Sequence, residues 1–163
     1  MKLLLENWRE YIGEVERFPD IATSQDEIQK SLDYFYQDHA PSKGQRRELG
    51  EWEDTGYQMV AFDLPGGTIL FFAVDEQDRA KAYVGVDRFR DSYSIGNVRK
   101  AHTEPRFSAA ELYKWLVGQL GTIYSDNKQT TAGEGIWQRL KQDHPENVEE
   151  PSEENDGRWR LTK

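Results

Sequence analysis

The chain has no cysteine. That excludes disulfides, thiolate nucleophiles and Cys-ligated zinc, and it fits a reducing cytoplasm. Histidine is scarce as well. His39, His102 and His144 stand far apart, with no H-x-x-x-H pair and no neighbouring carboxylate cluster, so each reads as a surface or loop residue and the sequence offers no metal site. Long apolar runs are also missing: nothing approaches the ~20 residues that cross a bilayer. "MKLLLENWREYI" reaches charge after three leucines, so it does not read as a signal peptide. The expectation is a soluble protein with no membrane partner, cytoplasmic rather than exported by that route.

What is present is acid and aromatic. The net charge is −9, but "DHPENVEEPSEENDG" (143–157) holds seven acidic residues and no Lys or Arg, so the rest of the chain carries only −2. The acidity belongs to a Pro- and Glu-rich segment that reads as a solvated loop, with mimicry of nucleic-acid charge as a rival reading. Direct DNA or RNA binding is disfavoured, because phosphate contacts need a basic face. Aromatic residues make up 12% of the chain, including five Trp and eight Tyr, and supply bulky core material. At 163 residues this is most simply one domain, 1–163, burying about 70% of its unfolded surface.

Leu4, Leu5, Trp8, Ile12 and Val15 recur at helical spacing, which predicts a helix over 2–15. Ser24 and Glu27 form a capping-box signature ahead of Ile28, Leu32 and Phe35, which predicts a second helix, so residues 1–40 read as two N-terminal helices. Residues 40–56 read as a loop carrying Lys43, Arg46 and Arg47. Four apolar runs with short turns follow at 57–62, 68–74, 80–86 and 93–101, an antiparallel meander. Then come a helix from Ser108, a short strand at 121–125, a helix at 131–142 with Thr131 and Glu134 as its capping box, and a last strand at 158–161. The order describes an α+β domain with a mixed sheet: two helices, a four-strand meander, then helix-strand-helix-strand.

This order, with "FFAVDEQDRAKAYVGV", "YSIGNV", "AELYKWL" and above all "YSDNKQTTAGEGIWQRL" (124–140), resembles the GNAT superfamily of acyl-CoA-dependent N-acetyltransferases. The match runs over about 57–142 and is closest to small GNAT-like proteins encoded by bacteriophages. In such proteins a strand ending in Ser-Asp leads through a Gln-Thr turn to a helix carrying Ile-Trp. The resemblance implies a GNAT-like fold, acetyl-CoA as cofactor and an amine acceptor. It places Val98, Arg99, Lys100, Arg106, Ser108 and Ala109 where the cofactor would lie. The start "MKLLLENWREYI" is similar to those of tailed-phage proteins, and Leu4-Leu5-Glu6 fits a loose prohead-protease pattern that an amphipathic helix explains equally. A phage protein would work in the host cytoplasm or in the virion.

The family's cofactor segment runs Arg/Gln-x-x-Gly-x-Gly/Ala into a helix, the glycines letting backbone amides close on a pyrophosphate. Registering Leu112-Tyr113 with the family puts Ala109 at the final position, Phe107 at the central glycine and Glu104 at the leading Arg/Gln, with Pro105 beside it. Glu104 repels phosphate, Pro105 lacks an N–H and Phe107 blocks close approach. Ser108 and Glu111 instead fit a capping box, and Phe107 with Leu112 a hydrophobic staple. Arg99, Lys100, Arg106 and His102 form a basic cluster that keeps an unusual phosphate site open. Many family members use a Tyr on the last helix as general acid; the matching residue here is Trp137, which has no accessible titration and also fits core packing beside Ile136 and Leu140. Asp87, Asp126 and Tyr93 are base candidates by expected proximity, and Asp126 is equally a turn former. Three functions follow from this reading: an N-acetyltransferase with an atypical cofactor site; a non-catalytic GNAT-like protein acting by contact with a virion or host protein; and an RNA-stacking sheet using the aromatics of "ILFF" and "AYVGV", against which strand order and charge both argue.

Overall fold

Between residues 45 and 100 the chain is β-structure broken only by turns: β1 (Gln45–Trp52), β2 (Tyr57–Asp63), β3 (Ile69–Val74), β4 (Ala80–Phe89) and β5 (Ser92–Lys100). These pair in sequence, all antiparallel. The computed structural model describes residues 29, 30, 32–34, 36, 37, 45–100 and 107–163. The described positions between 29 and 37 are helical and are called α1. The predicted helix at 2–15, the Ser24–Glu27 box and the Leu4-Leu5-Glu6 pattern lie outside the described residues.

After β5 come α2 (Ala109–Leu120), β6 (Thr122–Tyr124), α3 (Thr131–Asp143), β7 (Val148–Glu149), a single 3₁₀ turn at Glu153–Asn155 and β8 (Arg160–Thr162). The eight strands form one sheet in the order β1-β2-β3-β4-β5-β6-β8-β7. β5 and β6 are parallel, which needs a crossover connection, here one that contains α2, and the other pairs are antiparallel. The α+β class and mixed sheet match the sequence expectation.

Two expectations need correction. Residues 45–52 are a strand, not a loop, so the meander has five strands. Arg46, Arg47, Glu48 and Glu51 hide the pattern because β1 is a sheet edge, where charge discourages pairing with another chain. A bulge between Glu48 and Gly50 also breaks its alternation, and Gly50 takes φ +88°, which a side chain disfavours. The acidic segment 143–157 is likewise built rather than simply solvated. Val148 is buried in β7, and buried Asn155 donates from Nδ2 to the Glu150 carbonyl at 3.0 Å. Arg90, in the β4–β5 turn, reaches the Glu154 carbonyl at 2.8 Å and the Asp156 carboxylate at 2.6 Å.

The alternation along β2–β5 divides the core in two. One face carries Met59, Ala61, Phe71, Val84 and Ile95 against Leu112 and Leu116 of α2 and Trp137 and Leu140 of α3. The other carries Val60, Phe62, Leu70, Phe72 and Tyr83 against Leu32 and Tyr36 of α1. Tyr36 fixes α1 further: its hydroxyl donates to Asp78 at 2.7 Å and accepts from Arg46, and burial pushes its pKa up to about 12. Phe71, Phe72 and Tyr83 are all buried, so the sheet aromatics proposed for RNA stacking are core.

Candidate functional site

The start of α2 is the place to test for a cofactor phosphate, since helix N-termini present unpaired amides and a favourable dipole. Ser108 is the N-cap, in extended conformation (φ −88°, ψ 164°). Its hydroxyl accepts the Glu111 N–H at 3.2 Å, and its own N–H donates to the Glu111 carboxylate. The reciprocal capping box is complete, and it takes two of the four amides a helix start leaves over. The Ser108 N–H holds the Glu111 carboxyl below its usual range, so a negative charge of the protein's own sits at the helix end.

Phe107 closes the same place from behind. It is buried, tilted against Trp52 with ring centroids 4.4 Å apart and edge-on to Tyr57 at 5.6 Å. Phe107 and Leu112 belong to one core cluster, as a staple requires. Ala109 opens the helix and is half-buried.

The cationic cluster expected here is divided. Lys100 and Val98 lie opposite Ala82 and Val84, on the α2 face. Lys100 Nζ reaches the Phe107 carbonyl at 3.4 Å, and Val98 packs on the core. Arg99 lies opposite Tyr83, on the α1 face. Arg106, His102, Glu104 and Pro105 lie outside the described residues. The structure thus brings Val98, Lys100, Ser108 and Ala109 to one face and turns Arg99 away from them.

The catalytic candidates do not converge. Trp137 is fully buried, 5.4 Å from the Tyr113 ring and stacked on Trp159 at 6.4 Å. Tyr113 itself is buried, which pushes its phenol pKa far up. Tyr93 packs toward the α2 face and its hydroxyl accepts from Arg88 at 2.9 Å. Asp87 lies on the opposite face, accepting from the Thr68 hydroxyl at 2.6 Å. Asp126 starts the turn into α3: its Oδ1 accepts the Asn127 N–H at 2.6 Å. The cap of α3 also differs from expectation. Thr130, not Thr131, accepts the Gly133 N–H at 3.1 Å, and Glu134 instead accepts from the Trp159 indole at 3.0 Å. Sequence reading placed the cap one residue late because two threonines adjoin.

Sequence reasoning did not single out Asn97. It is buried on β5 beside Arg99, on the α1 face opposite Gly85. The signal was the alternation of "NVRK", which separates Asn97 and Arg99 from Val98 and Lys100.

No family model matches the chain, and no curated protein matches it significantly. Among the described residues, no helix is long and apolar enough to cross a membrane, and no group of three or more His, Asp or Glu is placed to hold a metal ion.

Proposed function

We propose that this chain is a GNAT-like domain that works by protein contact, as a virion component or a binder of a host factor, and not by ordinary acyl transfer. The observation that carries the reading is the completed Ser108–Glu111 box above buried Phe107. A pyrophosphate at this helix start would compete with the protein's own serine oxygen and carboxylate, and would meet the negative charge of Glu111. The burial of Trp137 supports the same reading, since it offers no titrating group to a leaving thiolate.

The second reading is an N-acetyltransferase that binds acetyl-CoA atypically and positions an amine acceptor for direct attack. Two features favour it: the run of elements from β2 to α3 that resembles the family, and Lys100, a cation on the α2 face close to the helix start.

Thermal unfolding with acetyl-CoA separates the two. Ligand at 100 times its Kd stabilises a protein by ~2.7 kcal/mol, or about 5–10 °C for a domain of this size. The contact reading expects a flat melting temperature up to millimolar acetyl-CoA. A saturable rise would overturn it in favour of the enzyme.

A further inference from the structure

Residues 150–157 connect β7 to β8 and carry the acids Glu150, Glu153, Glu154 and Asp156. The segment is closed on itself. The Ser152 N–H donates to Asn155 Oδ1 at 2.7 Å, Asn155 Nδ2 donates to the Glu150 carbonyl, and the Gly157 N–H returns to the Ser152 carbonyl at 2.7 Å. Its two ends are fixed in the sheet, where Val148, Trp159 and Leu161 are buried and Arg160 bonds Glu149 at 2.6 Å. Between those ends, the hydrogen bonds and the ion pair that tie the segment to the rest of the described fold come from one side chain, Arg90.

Arg90 is an unusual residue for its place. It is the first of the two residues in the β4–β5 turn and takes φ +53°, where hairpins ordinarily set glycine or asparagine. A residue with a side chain persists there when its surroundings over-determine it. Here the guanidinium supplies that hold: besides bonding Glu154 and Asp156, it lies over the Phe89 ring at 5.4 Å and the Tyr124 ring at 6.0 Å. Arg158 lies over the same Phe89 ring at 4.2 Å but bonds the Ser125 carbonyl, so it does not share the hold on the acidic residues.

We infer that Arg90 is the latch of a strap, 150–157, which opens as one unit while β7 and β8 stay paired. The loop is internally bonded and its ends are buried, but both partners of its one ion pair are about half-exposed. Exposed ion pairs are weak and are screened by salt, so releasing this one lies well below global unfolding. Release turns a clasped acidic segment into a free one, a change of surface governed by ionic strength. The device is independent of the proposed function. It sits at the far end of β5 from Lys100 and the α2 start, so the acetyl-CoA result neither supports nor removes it.

Amide hydrogen exchange of the full chain, read residue by residue by NMR, tests the latch. The reporters are the Asp156, Gly157 and Arg158 N–H groups, whose acceptors all lie within the strap. Arg90→Gly relieves the turn and removes the guanidinium. It should speed these amides about tenfold or more, because a charge-assisted bond is lost, while the amides of β3 and α2 keep their rates. Raising salt to ~1 M, where the screening length is ~3 Å, should speed the strap amides severalfold in wild type and leave Arg90→Gly unchanged. Asp156→Asn should fall between wild type and Arg90→Gly. Unchanged strap rates in Arg90→Gly, or rates that rise equally in β3 and α2, would overturn the latch. So would strap exchange that is indifferent to salt in wild type. Should Arg90→Gly fail to fold, Asp156→Asn and the wild-type salt series decide the matter.

Discussion

The two faces of β5 make opposite use of adjacent residues. On the α2 face Val98 packs on the core and Lys100 reaches the carbonyl that precedes the helix cap. At the helix start the protein answers its own polar groups, the Ser108 hydroxyl accepting the Glu111 N–H and the Ser108 N–H donating to the Glu111 carboxylate. On the α1 face, Asn97 and Arg99 carry covered donors that no described residue answers. The strand teaches that a cluster of cations in sequence is no guide to a site, because alternation sends neighbours to opposite sides of a sheet. Groups already satisfied resist a ligand.

The sharpest way to break the closed face is to remove its plug. Phe107→Ala should cost about 3–5 kcal/mol, the usual loss for a buried Phe, measured as a fall in the urea midpoint at unchanged slope. A loss below ~1 kcal/mol, well under that range, would mean Phe107 is not anchored between Trp52 and Tyr57. Ser108→Ala is a milder cut and should cost ~1 kcal/mol, the typical worth of an N-cap hydroxyl. If the mutant is as stable as wild type, the box is not closing the helix.

The smallest effect is in pH. The folded Glu111 carboxyl lies below its unfolded value, chiefly through the Ser108 N–H. Its contribution is therefore present above the ordinary carboxylate range and is lost as pH falls through the folded value. Wild type and Glu111→Gln should differ in stability at neutral pH and converge in acid. A constant difference across the acid range would show that the Glu111 charge plays no part in the cap.

Local signals in the sequence were legible because their partners are close along the chain. The α2 cap needs only Ser108 and Glu111, three residues apart, and both were found. The runs of β2 to β5 stood out because each is bounded by turn residues and most of each is apolar. β1 was missed because its surface is charged and its alternation is broken at Gly50. The acidic segment was misread because composition averages away Val148 and Asn155, two buried residues that help to pin it. Arg99 was grouped with Lys100 because proximity in sequence says nothing about which face of a strand a residue takes.

The sequence by itself determined the class of the fold, the run of elements from β2 to α3, and the closure of the α2 start, all of them consequences of periodicity and contacts within a few residues. Tertiary structure alone decided that β5 and β6 lie parallel, that β8 inserts between β6 and β7, and that Arg99 joins Asn97 away from the helix start. Those outcomes depend on pairings between distant segments, and on the sheet presenting two faces, each covered by different helices.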